Sequence, residues 1–244
     1  MARVVLVHGA FCNARVWGDA LLDALAATGH TVEAIDLPGH GDDPTPRDQV
    51  TLQNYANRVV QQLKSSPEPA VLVGHSMAGL VITQAADDFI AAGGHLEQLI
   101  YIAAVLPRNG KCQNDYTTLP QGAGDRLAGG LSVEGSPQVA TLLPGVAGPA
   151  LFGHCAPEVA TAAEAGLEPQ VIRVLFTPVS ITDDRAIKRS YILCTEDFAI
   201  PSALQRVMVS QTPGVRLFEM ESDHSPFLSH PDEFVRVLES AIAS

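Results

Sequence analysis

The six residues from Gly74 to Gly79 constrain the fold of this chain more than any other part of its sequence. They read Gly-His-Ser-Met-Ala-Gly and separate two apolar runs, residues 70–73 and residues 80–86. The first run is typical of a buried strand and the second of a packed helix. A serine at such a tight strand-to-helix turn projects its hydroxyl out of the sheet, beside the helix N-terminus. Small neighbours allow the strand and helix to approach closely, although Ala78 stands where glycine is commoner.

Strands and helices alternate along both ends of the chain. The predicted strands span 4–7, 31–35, 70–73, 99–105, 190–194 and 215–220. The predicted helices span 14–28, 51–63, 80–92, 202–211 and 231–243. Alternation at this spacing is typical of the α/β class, with a mostly parallel sheet that is covered by helices on both faces.

The alternation breaks between residues 108 and 187, where the chain is rich in Gly, Pro, Ala and Thr. So long a departure between two strands is more typical of an inserted lid than of one loop. We therefore predict an α/β core formed by residues 1–107 and 188–244, with an inserted lid at 108–187. A chain of 244 residues that is 46% hydrophobic can bury one core of this size.

Charge and cysteine usage exclude several classes of function. A formal net charge of −12 disfavours nucleic acids and anionic membranes as partners. No apolar stretch is long enough to span a bilayer. The four cysteines are widely spaced and form no Cys-x-x-Cys or Cys/His cluster, which excludes the common zinc patterns. The chain opens directly into a strand without a signal peptide, so we expect free thiols and a cytoplasmic protein.

Two residues after the last strands are candidates to activate Ser76. His224 follows the final strand and Asp197 follows the strand before it. Both loops lie at the carboxyl edge of a parallel sheet, as does Ser76. A serine hydroxyl needs an imidazole to accept its proton, and a carboxylate holds that imidazole in the correct tautomer. The sequence therefore predicts a catalytic triad in the order Ser76, Asp197, His224. Four other acids are rivals of Asp197, namely Glu196, Asp223, Asp183 and Asp184.

An oxyanion hole and a substrate pocket are predicted around this triad. The N–H of Met77 follows the nucleophile directly, and the N–H of Ala10 lies in the loop after the first strand, with Phe11 as a less favoured substitute. Phe11 and Phe198 adjoin these motifs, and Phe152 is one of the few bulky residues of the lid. These phenylalanines are candidate substrate-binding residues, with ordinary core packing as the alternative. The residues of the lid are largely small and apolar, which predicts a pocket for a small to medium uncharged ester.

Five motifs together resemble one group of α/β-hydrolases, the methylesterase and hydroxynitrile-lyase-like group, which includes plant methyl salicylate esterases and bacterial carboxylesterase relatives. The motifs lie at residues 5–10, 35–37, 73–79, 191–197 and 223–224. The resemblance covers the core and becomes vague in the lid. It implies the α/β-hydrolase fold and the triad and oxyanion donors named above. It also implies that the protein has no metal or organic cofactor, acts on a small-molecule ester and forms a homodimer, as members of the group often do.

Esterases and C–C lyases both occur in this group. Its hydroxynitrile lyases carry a lysine directly after the catalytic histidine and a threonine after the early histidine, whereas this chain has Ser225 and Gly9-Ala10 there. We therefore predict a carboxylesterase that works through an acyl-enzyme. A hydroxynitrile lyase-like C–C lyase, a small-ligand-binding protein of hydrolase fold and a cofactor-free haloperoxidase-like activity remain the alternatives.

Overall fold

The computed structural model describes residues 1–182 and 187–244. In these residues nine strands form two sheets. The strands are β1 (Arg3–Val7), β2 (Thr31–Ile35), β3 (Ala70–His75), β4 (Leu96–Ile102), β5 (Leu131–Glu134), β6 (Val139–Leu142), β7 (Gln170–Val171), β8 (Lys188–Cys194) and β9 (Val215–Met220). The α-helices are α1 (Asp19–Ala27), α2 (Leu52–Leu63), α3 (Ala78–Ala91), α4 (Gln113–Thr117), α5 (Ala147–Leu151), α6 (Pro157–Ala165), α7 (Arg173–Phe176), α8 (Ser202–Ser210), α9 (Pro226–Ser229) and α10 (Pro231–Ile242). Short 3-10 helices span Ala14–Trp17, Arg47–Gln49 and Pro120–Gly122.

The larger sheet has six strands in the order β2-β1-β3-β4-β8-β9, and every neighbouring pair is parallel. The chain runs outward from β1 to β2 and then returns to the other side of β1 with β3. This reversal places the carboxyl ends of β1 and β3 side by side, which is where open α/β sheets bind their ligands. The predicted parallel sheet is therefore confirmed.

Alternate residues of each strand contribute to two separate cores, one on each face of the sheet. On β1, Val5 and Val7 pack into a cluster with residues of α2, α3 and α8, whereas Val4 and Leu6 pack with residues of α1 and α10. This follows from the two-residue period of a strand, whose successive side chains point to opposite faces. Helices therefore cover both faces, as the sequence predicts.

Two predicted elements differ from the structure by more than a shift of one or two residues at an end. The helix predicted at 14–28 is divided at Gly18, whose φ of 67° ends the first 3-10 helix before α1 begins. The strand predicted at 99–105 begins earlier, at Leu96, and ends at Ile102. Ala103 then takes a φ of 42°, and the chain leaves the sheet to hydrogen-bond with the serine turn through Val105.

The chain between β4 and β8 contains the smaller sheet, β5-β6-β7, which is antiparallel, and the helices α4 to α7. Backbone bonds attach this segment to loops of the larger sheet. The N–H of Glu168 donates to the carbonyl of Phe11 at 2.7 Å, and the N–H of Arg126 donates to the carbonyl of Phe198 at 2.7 Å. The segment overlaps the predicted lid, whose action as a lid remains a prediction.

Two further expectations from the sequence are free thiols and the lack of a membrane-spanning stretch. Cys12, Cys112, Cys155 and Cys194 are all free thiols. Within the described ranges, no helix combines the length and apolarity that a membrane crossing requires.

Gly79 is expected to tolerate no side chain. A Cβ at this position would overlap the backbone carbonyl of Val105, and the N–H of the same residue bonds to the serine turn. We expect Gly79→Ala to lower the free energy of unfolding by about 3 kcal/mol, because either α3 or the backbone after β4 must shift. Urea denaturation measures the effect. Gly129→Ala is the control, since a Cβ there meets no atom within 4 Å; equal losses in the two variants would contradict the steric argument.

Candidate active site

Ser76 lies at the turn between β3 and α3, where the sequence places it. Its φ is 57°, in the left-handed region that non-glycine residues rarely adopt. Three backbone hydrogen bonds hold it there: its N–H donates to the Ile102 carbonyl at 3.1 Å, and its carbonyl accepts from the N–H groups of Val105 at 3.0 Å and Gly79 at 3.1 Å. A strained conformation kept by surrounding bonds is typical of a functional position. The turn leaves Ser76 partly exposed in the wall of a cavity.

Asp197 and His224 form a buried hydrogen-bonded pair beside the same cavity. His224 Nδ1 donates to Asp197 Oδ2 at 2.8 Å, and the two residues are 1% and 3% exposed, respectively. Because Nδ1 carries the proton, Nε2 keeps its lone pair and can accept another proton. His224 and Ser76 both line the cavity. Their side chains make no hydrogen bond to each other among the described contacts; in such sites this bond often tightens only when substrate binds.

Asp197 is held by more than the histidine. Its Oδ1 accepts from the N–H groups of Ala199 at 2.7 Å and Ile200 at 2.9 Å, and Oδ2 also accepts from Gln205 Nε2 at 3.0 Å. These donors stabilise the buried charge and fix the carboxylate against His224.

Of the rival acids, the two in the described residues, Asp223 and Glu196, do not occupy this place. Asp223 accepts from the N–H of His154 at 3.0 Å and from the Ser229 hydroxyl at 2.7 Å, which ties the loop after β9 to its neighbours. Glu196 is exposed. Asp183 and Asp184 lie outside the described residues.

The loop after β1 comes close to the serine turn. A Cβ at Gly9 would lie 2.9 Å from Ser76 Cβ and 3.0 Å from His75 Nδ1, so only glycine fits without a shift. Ala10 follows directly and lines the cavity. Among the described residues, the N–H groups of Ala10 and Met77 donate to no protein acceptor. Two unpaired donors beside Ser76 suit the oxyanion of a tetrahedral intermediate.

Two buried histidines support this arrangement. His8 Nδ1 donates to the Gly9 carbonyl at 2.8 Å, and its Nε2 accepts from the Leu37 N–H at 3.1 Å. His75 Nε2 donates to the carbonyl of His224 at 2.8 Å. Burial lowers the pKa of His8 to about 3, with a contribution from His40, and also lowers the pKa of His75 well below its ordinary value. Both are therefore neutral packing residues at neutral pH.

The neutral state of His8 predicts acid sensitivity. The unfolded chain binds a proton at this histidine below its ordinary pKa of 6.5, whereas the folded protein does so only near about 3. The contribution of neutral His8 to the free energy of unfolding is therefore fully present above pH 6.5 and decreases as the pH falls toward 3. At pH 5 the free energy of unfolding is lower by about 2 kcal/mol. Urea denaturation at pH 7 and pH 5 measures the loss. His8→Gln should reduce it, whereas His95→Gln, at an exposed site, should not; equal losses in all three proteins would refute the assignment.

Glu168 links the segment between β4 and β8 to this part of the site. Besides its backbone bond to Phe11, its carboxylate accepts from Asn13 Nδ2 at 2.6 Å and from the Gly41 N–H at 3.0 Å. Its Oε2 also lies 3.6 Å from His40 Nδ1. One acidic side chain thus joins this segment to the loops after β1 and β2.

A cavity of about 350 Å³ opens above Ser76. Most of its wall is apolar and comes from the segment between β4 and β8. The apolar residues of that segment that line the cavity are Leu127, Ala128, Leu131, Val133, Leu151, Phe152, Ile172, Leu175 and Phe176. Helix α4 and the residue after it form a polar side with Gln113, Asn114, Thr117 and Thr118.

Of the three predicted substrate-binding phenylalanines, Phe11 and Phe152 line the cavity and Phe198 does not. The bonds from Asp197 to the next residues turn the backbone so that Ala199 and Ile200 form the wall instead. The ring of Phe198 stacks under the guanidinium of Arg126, 3.6 Å from the ring centroid. Its predicted place in the pocket is therefore wrong.

Two residues at the site were not anticipated. Gln205 is fully buried on α8 and bonds to Asp197. A glutamine on the buried face of a helix, beside Leu204 and Met208, is a detectable signal because such a polar group needs a partner. Asp125 also lines the cavity, but it lies in an irregular stretch whose sequence gives no comparable signal.

A six-stranded parallel sheet with a serine at the β3–α3 turn and a histidine–aspartate pair at the same edge defines an α/β-hydrolase. The chain belongs to the alpha/beta hydrolase family, whose family model matches residues 4–237. No group of three or more His, Cys, Asp or Glu side chains arranged to hold a metal occurs in the part of the chain described.

Its relatives agree with the resemblance inferred from the motifs. Methylesterase 7 of Arabidopsis thaliana is 28% identical over 257 residues, which cover 97% of this chain and 94% of the relative. An alpha-hydroxynitrile lyase of the same plant is 29% identical, with 98% and 96% covered. The fold is shared with a pyrethroid hydrolase from Sphingobium faniae JZ-2, at a TM-score of 0.88 and 24% identity, covering 100% of this chain and 98% of the other.

Proposed function

We propose that this protein is a serine carboxylesterase that hydrolyses a small to medium carboxylic ester. The observation that carries the proposal is the buried Asp197–His224 hydrogen bond beside the cavity that Ser76 lines. Relatives named as methylesterases and as polyneuridine aldehyde esterase support ester hydrolysis.

The chemistry follows from the positions of the side chains. The Ser76 hydroxyl attacks the ester carbonyl while His224 Nε2 takes its proton, and Asp197 stabilises the imidazolium. The N–H groups of Ala10 and Met77 stabilise the tetrahedral oxyanion, a contribution of about 3 kcal/mol for each donor in comparable sites.

Collapse of that intermediate releases the alcohol, which receives its proton from His224, and leaves the acyl group on Ser76. Water then attacks the acyl-enzyme with His224 as the base, and the carboxylic acid departs. Each step needs only the proton that the imidazole carries, so the mechanism requires no cofactor.

The segment 108–187 acts in this proposal as a lid. Its apolar residues enclose the cavity, and exclusion of water strengthens the electrostatic interactions around the oxyanion. The mostly apolar wall also favours an ester with an apolar body.

Assembly and location are further parts of the proposal. The protein forms a homodimer, which light scattering of the purified chain tests directly. It is cytoplasmic, and its four free thiols support a reducing compartment; fractionation of cells that express it tests this placement.

The test is turnover of p-nitrophenyl and methyl esters of increasing acyl length, together with a cyanohydrin. An esterase hydrolyses members of the ester series and is inactivated by a fluorophosphonate that mass spectrometry locates on Ser76. Cleavage of the cyanohydrin alone would establish the lyase instead. Binding of esters without turnover would establish a ligand-binding protein of hydrolase fold.

A further inference from the structure

Asp125 brings to the cavity a carboxyl group without a cationic partner in the described part of the chain. Among the described residues that line the cavity it is the one carboxylate, and those residues include no lysine or arginine. The other titratable groups are Cys12 and two histidines, of which His224 is paired with Asp197 and His75 is neutral. The carboxylate therefore faces a mostly apolar wall without a cation to offset it.

The hydrogen bonds of Asp125 leave half of its carboxylate unused. Oδ1 accepts from the N–H groups of Leu127 at 2.7 Å and Ala128 at 3.3 Å. Oδ2 accepts no hydrogen bond from the described residues. Burial raises the pKa of Asp125, the charge of Asp197 raises it further, and His224 lowers it. Asp125 thus lies within electrostatic range of the reacting groups.

The cation next in sequence does not neutralise Asp125. The guanidinium of Arg126 lies over the ring of Phe198 and donates to the carbonyl of Pro149 at 3.3 Å. It makes no ion pair with Asp125, although the two residues are neighbours. The lid backbone therefore directs one charge into the cavity and the other away from it.

We propose that Asp125 sets the charge preference of the cavity, so that an ester with a cationic group on an apolar body is taken in preference to its neutral isostere. Anionic esters are disfavoured for the same reason. The inference rests on the proposed esterase activity and deepens it, by naming the substrate class. It also refines the uncharged ester predicted from the composition of the lid.

The argument is electrostatic. A charge in a partly dehydrated, apolar cavity interacts more strongly than it does in water, and Asp125 Oδ2 has no competing donor. The cost of burying the Asp125 charge is part of the free energy of folding and is the same whichever ester binds. Only a cationic ester gains the attraction to this charge on binding. We expect the cation to be preferred about fivefold or more over its isostere in kcat/KM at low salt.

The experiment compares two matched pairs of esters. Choline butyrate and its isostere, in which carbon replaces the quaternary nitrogen, place the charge in the alcohol. The p-nitrophenyl esters of trimethylammonio-butanoate and of its carbon isostere place the charge in the acyl group. In at least one pair, kcat/KM should favour the cation, and the preference should weaken as salt screens the charge.

Asp125→Asn removes the charge and keeps an oxygen for the two backbone donors. It should bring the kcat/KM ratio of the preferred pair close to one; because this ratio compares two esters in the same protein, a change common to both rates does not affect it. Glu97→Gln, at an exposed position, changes the net charge equally and should leave the ratio as in the wild type. An unchanged ratio in Asp125→Asn, or equal changes in both variants, would overturn the proposal.

Two further readouts keep the test decisive. If Asp125→Asn is unstable, the wild type alone decides: absence of any cation preference in both pairs overturns the proposal, and a salt-sensitive preference supports it. If the wild type hydrolyses no ester, the esterase proposal fails on its own. Calorimetric binding of choline and of its neutral isostere then still tests the charge preference, since tighter binding of choline supports it and equal binding overturns it.

Discussion

Replacing Ser76 by alanine is expected to lower kcat for ester hydrolysis by about 10⁵-fold, while the protein stays folded. The hydroxyl is the group that forms the acyl-enzyme, and water attacking without it retains only the help of the oxyanion donors and of binding. The removed hydroxyl makes no hydrogen bond within the described residues, so the fold loses little. Steady-state kinetics on the best ester of the series measures the change.

Ser210→Ala is the matched control, because it removes an exposed hydroxyl whose hydrogen bond, within the described residues, is to Val207 of its own helix. Its kcat should equal that of the wild type. Retention of more than about a tenth of the wild-type kcat in Ser76→Ala would assign the chemistry to another nucleophile.

Replacing Asp197 by asparagine is expected to lower kcat by about 10⁴-fold with a much smaller effect on KM. Asparagine fills the same volume and keeps an acceptor for the N–H groups of Ala199 and Ile200. Its amide, however, donates a proton toward His224 Nδ1 and favours the tautomer whose Nε2 is already protonated. That imidazole cannot accept the proton of Ser76. The dependence of kcat on pH in both proteins measures the change, since raising the pH should not restore the lost rate fully.

Asp223→Asn provides the comparison. Asp223 is the rival acid in sequence, but its oxygens bond to the N–H of His154 and to Ser229, and not to the imidazole. We expect this variant to lose stability with at most about a tenfold decrease in kcat. The reverse ranking of Asp197→Asn and Asp223→Asn would show that the acid is misassigned.

The larger sheet could be predicted because its signals are local. Apolar runs and the turn at residues 74–79 identify the strands, and the alternation with helices identifies their parallel order. The predicted end of β4 lies three residues too far along the chain, because the chain after Ile102 is still apolar: residues 104–106 pack against the serine turn and α8 instead of pairing in the sheet. Hydrophobicity alone does not distinguish these two kinds of burial.

The candidate site likewise contains residues that the sequence predicts and residues that it does not. Residues that chemistry requires at defined loops, such as Ser76, Asp197 and His224, follow from chain order. The cavity wall does not, because it depends on how the irregular segment folds back over the sheet. Phe198 illustrates the limit: it is adjacent in sequence to Asp197, yet the backbone turn that satisfies this carboxylate directs its ring toward Arg126.

Glu168 has a consequence for engineering. Lids of hydrolases are attractive modules for grafting, because they shape the pocket while the sheet carries the chemistry. Here the grafted piece would include a carboxylate that ties Asn13 and Gly41 together, and a backbone N–H that holds Phe11. A transplanted segment without an acid at this position would keep the backbone bond to Phe11 but lose the carboxylate bonds to Asn13 and Gly41. Pocket shape and catalytic geometry are therefore inherited together, and a chimaera must take the segment between β4 and β8 and the loop after β1 from the same parent.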